Sequence, residues 1–135
     1  MITFSRAAYD DVVYEAYDGD GREVCGVLAG DHGEAETTVE AAYPAENVAD
    51  TPEIRYYIDP EEQLELVEEI EAEGLEVAGF YHSHPTGPTR PSDTDADRAT
   101  WPGMSYAIVA LDGYPYLGSW RWRDGEFEQE TVRID

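Results

Sequence analysis

The sequence predicts an α/β fold in which helices pack on both faces of a mixed β-sheet, giving three layers. Short apolar runs at 24–30 and 105–111 are typical of buried strands, and turn residues separate them from helical patterns. Between them, Asp59 and Pro60 form a strong helix start followed by acidic residues. The 135 residues match the usual length of one domain, so we expect residues 1–135 to form a single domain.

Local signals predict the elements of the first half of the chain. Ser5 can cap a helix that runs through about Tyr17, because Ala8, Val12 and Ala16 then share one face. Turn residues follow at 18–21 and again at 31–34. They bound two predicted strands, at 24–30 and 37–43, and an irregular loop follows at 44–52.

The second half continues the alternation of strands and helices. A short strand at 55–58 is predicted to precede the helix that Asp59 caps, and Gly74 is placed to end that helix after about Glu73. Ser92 can cap another helix over about 93–100. The remaining predicted strands are 75–81, 105–111, 116–123 and 127–134, the last two joined by a tight turn at Asp124-Gly125.

The charge balance is extreme, with 31 acidic and eight basic residues and a net charge of −23. All eight basic residues are arginine, and the composition is typical of adaptation to high salt, where screening removes self-repulsion. The charge opposes a nucleic-acid partner, because phosphate backbones are bound by Lys and Arg. No apolar run approaches the roughly 20 residues that span a membrane, and no signal-peptide core begins the chain, so we expect a soluble cytoplasmic protein.

Two of the three histidines, His82 and His84, lie two residues apart at the end of a predicted strand and therefore face the same side. Imidazole nitrogens suit Zn²⁺, and one carboxylate would complete three protein ligands with a fourth position open to water, which is the catalytic pattern. Asp95, in the first turn after Ser92, is the best candidate, and Asp93 is its main rival. Ser92 is either a helix cap alone or also a catalytic hydroxyl.

A hydrolytic metal site also needs a base that takes a proton from water. Glu23 has the best context among the 18 glutamates, because it begins a buried apolar strand beside small residues, although a surface acid at a strand end is the alternative. The single cysteine, Cys25, excludes an intrachain disulfide and is best interpreted as a small buried core residue. His32 stands alone in a turn, and we assign it no role.

These residues match the signature of the JAMM/MPN+ zinc metalloproteases, an upstream Glu followed by H-x-H-P-x6-S-x-x-D. The chain has Glu23, then His82-Ser83-His84-Pro85, then Ser92-Asp93-Thr94-Asp95, and the resemblance extends to Asn47 and to 57–61. The resemblance implies a three-layer α/β/α MPN (JAMM) domain with a mixed, mostly antiparallel sheet. It further implies one Zn²⁺ held by His82, His84 and Asp95, with Glu23 as general base and Ser92 as oxyanion stabiliser.

The same resemblance implies hydrolysis after the C-terminal Gly-Gly of ubiquitin-like modifier proteins, with segments 44–57 and 86–91 forming a groove for the modifier tail. Small archaeal members of the family remove small archaeal modifier proteins, so a haloarchaeal desampylase is the most concrete expectation. A hydrolase of sulfur-carrier proteins with the same tail and a non-catalytic MPN scaffold are the alternatives. A RadC-like DNA-repair role conflicts with the charge, and a zinc nucleoside deaminase would need a P-C-x-x-C pair that the sequence lacks.

Overall fold

The computed structural model describes residues 1–113 and 116–135, and within them one mixed sheet of eight strands packs against three helices. The helices are α1 (Arg6–Asp18), α2 (Pro60–Ala72) and α3 (Asp93–Arg98). The strands are β1 (Ile2–Phe4), β2 (Cys25–Asp31), β3 (Thr37–Ala45), β4 (Glu76–His84), β5 (Ser105–Ala110), β6 (Leu117–Arg123), β7 (Glu126–Glu130) and β8 (Val132–Ile134).

The strand order is β7-β6-β5-β4-β2-β3-β1-β8. Antiparallel pairing joins β2 to β3 and β4, and β6 to β5 and β7. Parallel pairing joins β4 to β5, and β1 to β3 and β8. Four of the seven pairings are antiparallel, which confirms the predicted mixed and mostly antiparallel sheet. Thr131 alone separates β7 from β8, so the sheet curves until its two edges are neighbours.

Each face of the sheet carries its own apolar core, and the two cores confirm the three layers. On one face, the apolar stripe of α1 (Ala8, Val12 and Ala16) packs with buried strand residues such as Leu28 and Tyr81. On the other face, Ile70 of α2 packs with strand residues that include Val27 and Phe80. Burial of a large apolar side chain contributes roughly 1.5–3 kcal/mol, so these two layers fix the position of the central strands.

The predicted caps of the helices are confirmed. The Ser5 side chain accepts a hydrogen bond from the Ala8 amide at 3.1 Å, and the Asp59 side chain accepts one from the Glu61 amide at 2.9 Å. Ser92 caps α3, which ends at Arg98, two residues before the predicted end. No helix in 1–113 or 116–135 combines the length and the apolar character needed to cross a membrane.

Three strand predictions were wrong in detail. Residues 55–58 are not a strand, because the side chain of Asn47 binds the backbone of Arg55 and Tyr57 in place of a strand partner. Strand β1 was missed because three residues carry no periodic pattern. The predicted strand 127–134 splits at Thr131, where the chain passes from one edge of the sheet to the other.

Candidate metal centre and active site

The candidate site lies where β2 begins and β4 ends. Cys25 pairs with His82 across these two antiparallel strands, and Ser83 continues the pairing by donating its amide to the Val24 carbonyl at 3.0 Å. Continuing that register by one residue places Glu23 beside His84. The strand pairing therefore brings Glu23 to the two histidines, although 59 residues separate it from His82 in the sequence.

Helix α3 brings the third predicted ligand. The Ser92 side chain accepts a hydrogen bond from the Asp95 amide at 3.1 Å, and Asp95 Oδ2 accepts one from the Ser92 amide at 2.9 Å, so the two residues form a capping box. The same Oδ2 lies 3.1 Å from His82 Nε2 and 3.3 Å from His84 Nε2. The local S-x-x-D pattern therefore fixes the helix start and aims a carboxylate at the histidines.

The donor atoms fit a metal ion. Glu23, His82, His84 and Asp95 are all buried, and each offers a ligand atom within 4.8 Å of the others. The two imidazole Nε2 atoms are 3.2 Å apart. Tetrahedral ligands at 2.0–2.2 Å from Zn²⁺ lie about 3.3 Å from one another, close to the separations among these two nitrogens and Asp95 Oδ2. The buried residues therefore suit one Zn²⁺.

Hydrogen bonding orients one of the two imidazoles. His84 Nδ1 lies 3.0 Å from the Pro88 carbonyl oxygen, which accepts only from a protonated nitrogen, so Nε2 keeps its lone pair for a ligand. His82 Nδ1 is buried without a hydrogen-bond partner in the described part of the chain. Its ring is held instead by Tyr56, whose ring stacks on it with centroids 4.4 Å apart and an interplanar angle of 25°.

Burial and charge shift the pKa values of these groups in different directions. Burial raises the pKa of Glu23 to about 8, against the opposing effects of His84 and Arg55. Burial also raises the pKa of Asp95, but His82, His84 and the Ser92 amide outweigh it and hold that pKa well below its usual range. Burial lowers the pKa of His82. Burial also acts to lower the pKa of His84, but hydrogen bonds to Asp95 and to the Pro88 carbonyl outweigh burial. The pKa of His84 is therefore raised.

Two cavities lie near the predicted metal ligands, and His84 lines one of them. One, of about 370 Å³, is lined by Glu23, His84 and Ser92 together with residues of the segments 53–54 and 86–93. The other, of about 340 Å³, is largely aromatic and lies beyond Tyr56. Residues from both predicted groove segments thus line the cavity that also contains Glu23, His84 and Ser92.

The structure separates the candidates that the sequence left open. Asp93 is exposed and stands outside the donor cluster, whereas Asp95 is buried within it. His32 lies elsewhere, with Nε2 3.1 Å from the Gly103 carbonyl. Cys25 is buried, and burial raises the pKa of its thiol to about 12, which agrees with a core residue. Sequence reasoning missed Tyr56, because an aromatic residue in an irregular segment carries no local pattern that points to a metal site.

A family model, curated relatives and a solved structure all align with most or all of this chain. The family described as prokaryotic homologs of the JAB domain matches residues 5–123. A desampylase from Haloferax volcanii is 40% identical over 99% of this chain and 96% of its own length. A CysO-cysteine peptidase from Mycobacterium tuberculosis is 34% identical over 83% of this chain and 76% of its own length. A solution structure from Desulfitobacterium hafniense, 29% identical, covers all of this chain and 93% of its own with a TM-score of 0.88.

Proposed function

The chain belongs to the family of prokaryotic homologues of the JAB domain, and from this premise we propose that it is a zinc-dependent isopeptidase. Its substrates are ubiquitin-like small archaeal modifier proteins, which it removes from their targets by hydrolysis after the C-terminal Gly-Gly. The observation that carries the proposal is the buried cluster of two imidazoles and two carboxylates beside an open cavity. The desampylase that matches nearly the full chain supports this substrate class.

In this proposal, residues 1–135 act as one catalytic domain, and His82, His84 and Asp95 hold the metal ion. Bound Zn²⁺ supplies a Lewis acid that polarises a carbonyl oxygen and lowers the pKa of water. Glu23 takes one proton from the attacking water as the water oxygen bonds to the carbonyl carbon of the terminal glycine. The same carboxyl returns that proton to the lysine nitrogen as the C–N bond breaks, so the products are a free carboxylate and an amine.

Ser92 is assigned to the developing negative charge on the carbonyl oxygen. Its Oγ already accepts the Asp95 amide hydrogen, which fixes the side chain and leaves the hydroxyl hydrogen free to donate. Ser92 lines the same cavity as Glu23 and His84, so this hydrogen can point at a bound carbonyl. A donor fixed in advance stabilises a tetrahedral intermediate without reorganisation when the charge forms.

The net charge of the protein supports a proposal about its cellular environment. A net charge of −23 is tolerated where salt screens it, so we assign the protein to the cytoplasm of a halophilic archaeon. Its partners are ubiquitin-like modifiers and their conjugates, and neither nucleic acid nor membrane is among them. An assay therefore needs molar salt.

A second candidate is hydrolysis of sulfur-carrier proteins that end in the same Gly-Gly tail. The CysO-cysteine peptidase, which aligns over most of this chain, favours this candidate. The two functions differ in the leaving group, an amino acid in one case and a protein lysine in the other. A non-catalytic scaffold is disfavoured, because all four donor residues are present and buried together.

The test uses a ubiquitin-like modifier joined through its Gly-Gly terminus to a lysine of a second protein, in molar KCl. We expect the zinc-loaded protein to cleave this bond and a chelator to abolish cleavage. Glu23→Gln is expected to keep a full complement of zinc and to lose hydrolysis by more than about 10²-fold. Asp97→Asn, an exposed change on the same short helix as Asp95 that lines neither cavity, is the matched control and is expected to stay active.

An inactive zinc-loaded protein would refute the proposal. Loss of zinc in Glu23→Gln would show that Glu23 is a metal ligand and would refute its role as general base. Cleavage of a modifier–amino-acid adduct but not of the lysine conjugate would select the sulfur-carrier function.

A further inference from the structure

The carboxyl end of Glu23 lacks the support that the metal ligands have. Its Oε1 is buried and has no hydrogen-bond partner among the described residues. By contrast, hydrogen bonds from Ser92 and to Pro88 orient Asp95 and His84. Among the described residues, the hydrogen bonds of Glu23 are those of its backbone.

That backbone is held by tertiary hydrogen bonds on both sides of the residue. The Glu23 amide donates to the Pro52 carbonyl at 2.7 Å, and its carbonyl accepts from Asn47 Nδ2 at 2.8 Å. The next amide, of Val24, donates to Ser83 Oγ at 2.9 Å. The pairing of β2 with β4 brings Glu23 beside the histidines, and beyond the end of β2 the Pro52 carbonyl and the side chains of Asn47 and Ser83 hold its backbone.

Asn47 uses its entire hydrogen-bonding capacity in this arrangement. Its Nδ2 donates to the carbonyls of Glu23 and Arg55, and its Oδ1 accepts from the amides of Ala49 and Tyr57. These bonds connect the backbone of Glu23 to the segment that carries Tyr56, which stacks on His82. Asn47 is the only asparagine of the chain. Its side chain therefore connects Glu23, the candidate base, to the segment whose Tyr56 stacks on the predicted ligand His82.

Ser83 lies on β4 between the two histidines and also holds the backbone next to Glu23. Alternation along the strand turns its side chain to the face opposite the imidazoles, where it is fully buried. There it accepts the Val24 amide hydrogen, while its own amide donates to the Val24 carbonyl. The strand that presents the ligands therefore also holds the segment that presents the base.

We propose that Asn47 and Ser83 are positioning residues that set the orientation of Glu23, an inference that rests on the proposed role of Glu23 as general base. A backbone rotation of about 10° moves a carboxylate at the end of a glutamate side chain by roughly 1 Å. A misplacement of about 1 Å can cost on the order of 10²-fold in rate. Neither residue lines the cavities beside the site, so each is expected to act on the rate through Glu23.

The first experiment compares Asn47→Ala and Ser83→Ala with the wild type on the Gly-Gly–lysine conjugate. Each is expected to lower kcat by about 10- to 100-fold, to leave KM within about threefold, and to retain full zinc. Asn47→Asp keeps the shape and the two accepting contacts but turns an acceptor toward the Glu23 and Arg55 carbonyls, so it is expected to be impaired as well. It also serves as the second variant if Asn47→Ala does not fold.

Ser119→Ala is the matched control for Ser83. Ser119 is also a fully buried strand serine with one hydroxyl hydrogen bond, a donation to Glu130 at 2.8 Å far from the candidate base. We expect it to lower the melting temperature and to leave kcat unchanged when all variants are assayed well below their melting temperatures. An equal loss of kcat in Ser119→Ala and Ser83→Ala would show a general effect of lost stability and overturn the inference.

The deciding measurement is a double-mutant cycle with Glu23→Gln, followed by single-turnover cleavage over long times. If Asn47 acts through Glu23, Asn47→Ala removes at most about twofold more activity in the Glu23→Gln background. A full 10- to 100-fold further loss there, or loss of zinc in Asn47→Ala, would overturn the positioning role. An unimpaired Glu23→Gln single variant would instead refute the general base itself, so the two failures are distinguishable.

Discussion

Replacement of Arg121 by methionine tests whether a buried ion pair closes the curved sheet. Arg121, on β6, is 3% exposed. Its guanidinium donates to Glu130 Oε1 at 3.0 Å, to the Gly33 carbonyl at 2.7 Å and to Thr37 Oγ1 at 2.7 Å. Glu130 also pairs with the N-terminal ammonium at 3.3 Å, so the network joins β6 and β7 at one edge of the sheet to β3 and the start of β1 near the other edge.

The expected loss in free energy of unfolding for Arg121→Met follows from the groups that lose their hydrogen-bond partner. Methionine keeps most of the apolar stem but leaves the Glu130 carboxylate without its guanidinium partner and the Gly33 carbonyl without this donor. Removal of one partner of a buried ion pair costs about 3–5 kcal/mol, a large share of the roughly 5–15 kcal/mol that stabilises a domain. Arg133→Met is the control, because the Arg133–Asp135 pair is 3.7 Å long and mostly exposed and is expected to contribute less than about 1 kcal/mol.

The assay is urea unfolding in molar KCl with a chelator in every sample, since bound metal would add its own stabilisation. Burial raises the pKa of Glu130, but hydrogen bonds from Ser105 and Ser119 and the charge of Arg121 outweigh burial and lower it overall. A carboxyl group with a lowered folded-state pKa stabilises the fold above its ordinary pKa of 4.5, and this contribution disappears as the pH falls through the folded-state value.

The difference in free energy of unfolding between the wild type and Glu130→Gln should therefore be constant above about pH 5 and shrink at lower pH. Two results would refute the reasoning. The first is a cost for Arg121→Met no larger than that for Arg133→Met. The second is a difference for Glu130→Gln that stays the same from pH 7 to pH 3.

Three further predictions concern the site and the strands behind it. Tyr56→Leu should weaken zinc binding by about tenfold in a chelator competition while Tyr56→Phe stays near the wild type, and equal effects would contradict the stacking argument. Burial raises the pKa of Glu15 from 4.5 to about 7 despite its hydrogen bond from Tyr81, so the wild type loses stability as the pH rises through that range. Glu15→Gln should therefore raise the melting temperature at pH 8 more than at pH 5, and equal shifts would count against it. Gly26→Ala should destabilise by about 1–3 kcal/mol in urea unfolding, because a Cβ there would overlap the Tyr43 carbonyl and the Tyr81 ring, and an unchanged midpoint would show that the strands can separate.

Local features predicted much of this fold and part of the site. The caps at Ser5, Asp59 and Ser92 are set by side chains that bind amides two or three residues away, so the sequence carries their signal directly. The histidine pair is equally local, because alternation along one strand places His82 and His84 on one side. The roles of Glu23, Ser92 and the three ligands are predictions, and Glu23→Gln tests the first of them.

Other features needed the tertiary structure because they depend on contacts between distant segments. The sequence alone determined a mixed α/β chain with two imidazoles and a capped carboxylate in one short stretch. Only the pairing of β2 with β4 decided that Glu23 faces them, and only the fold of the segment 47–57 decided that Tyr56 covers His82 and that Asn47 holds the backbone of Glu23. Such contacts close loops of many residues and leave no periodic pattern, so no local propensity records them.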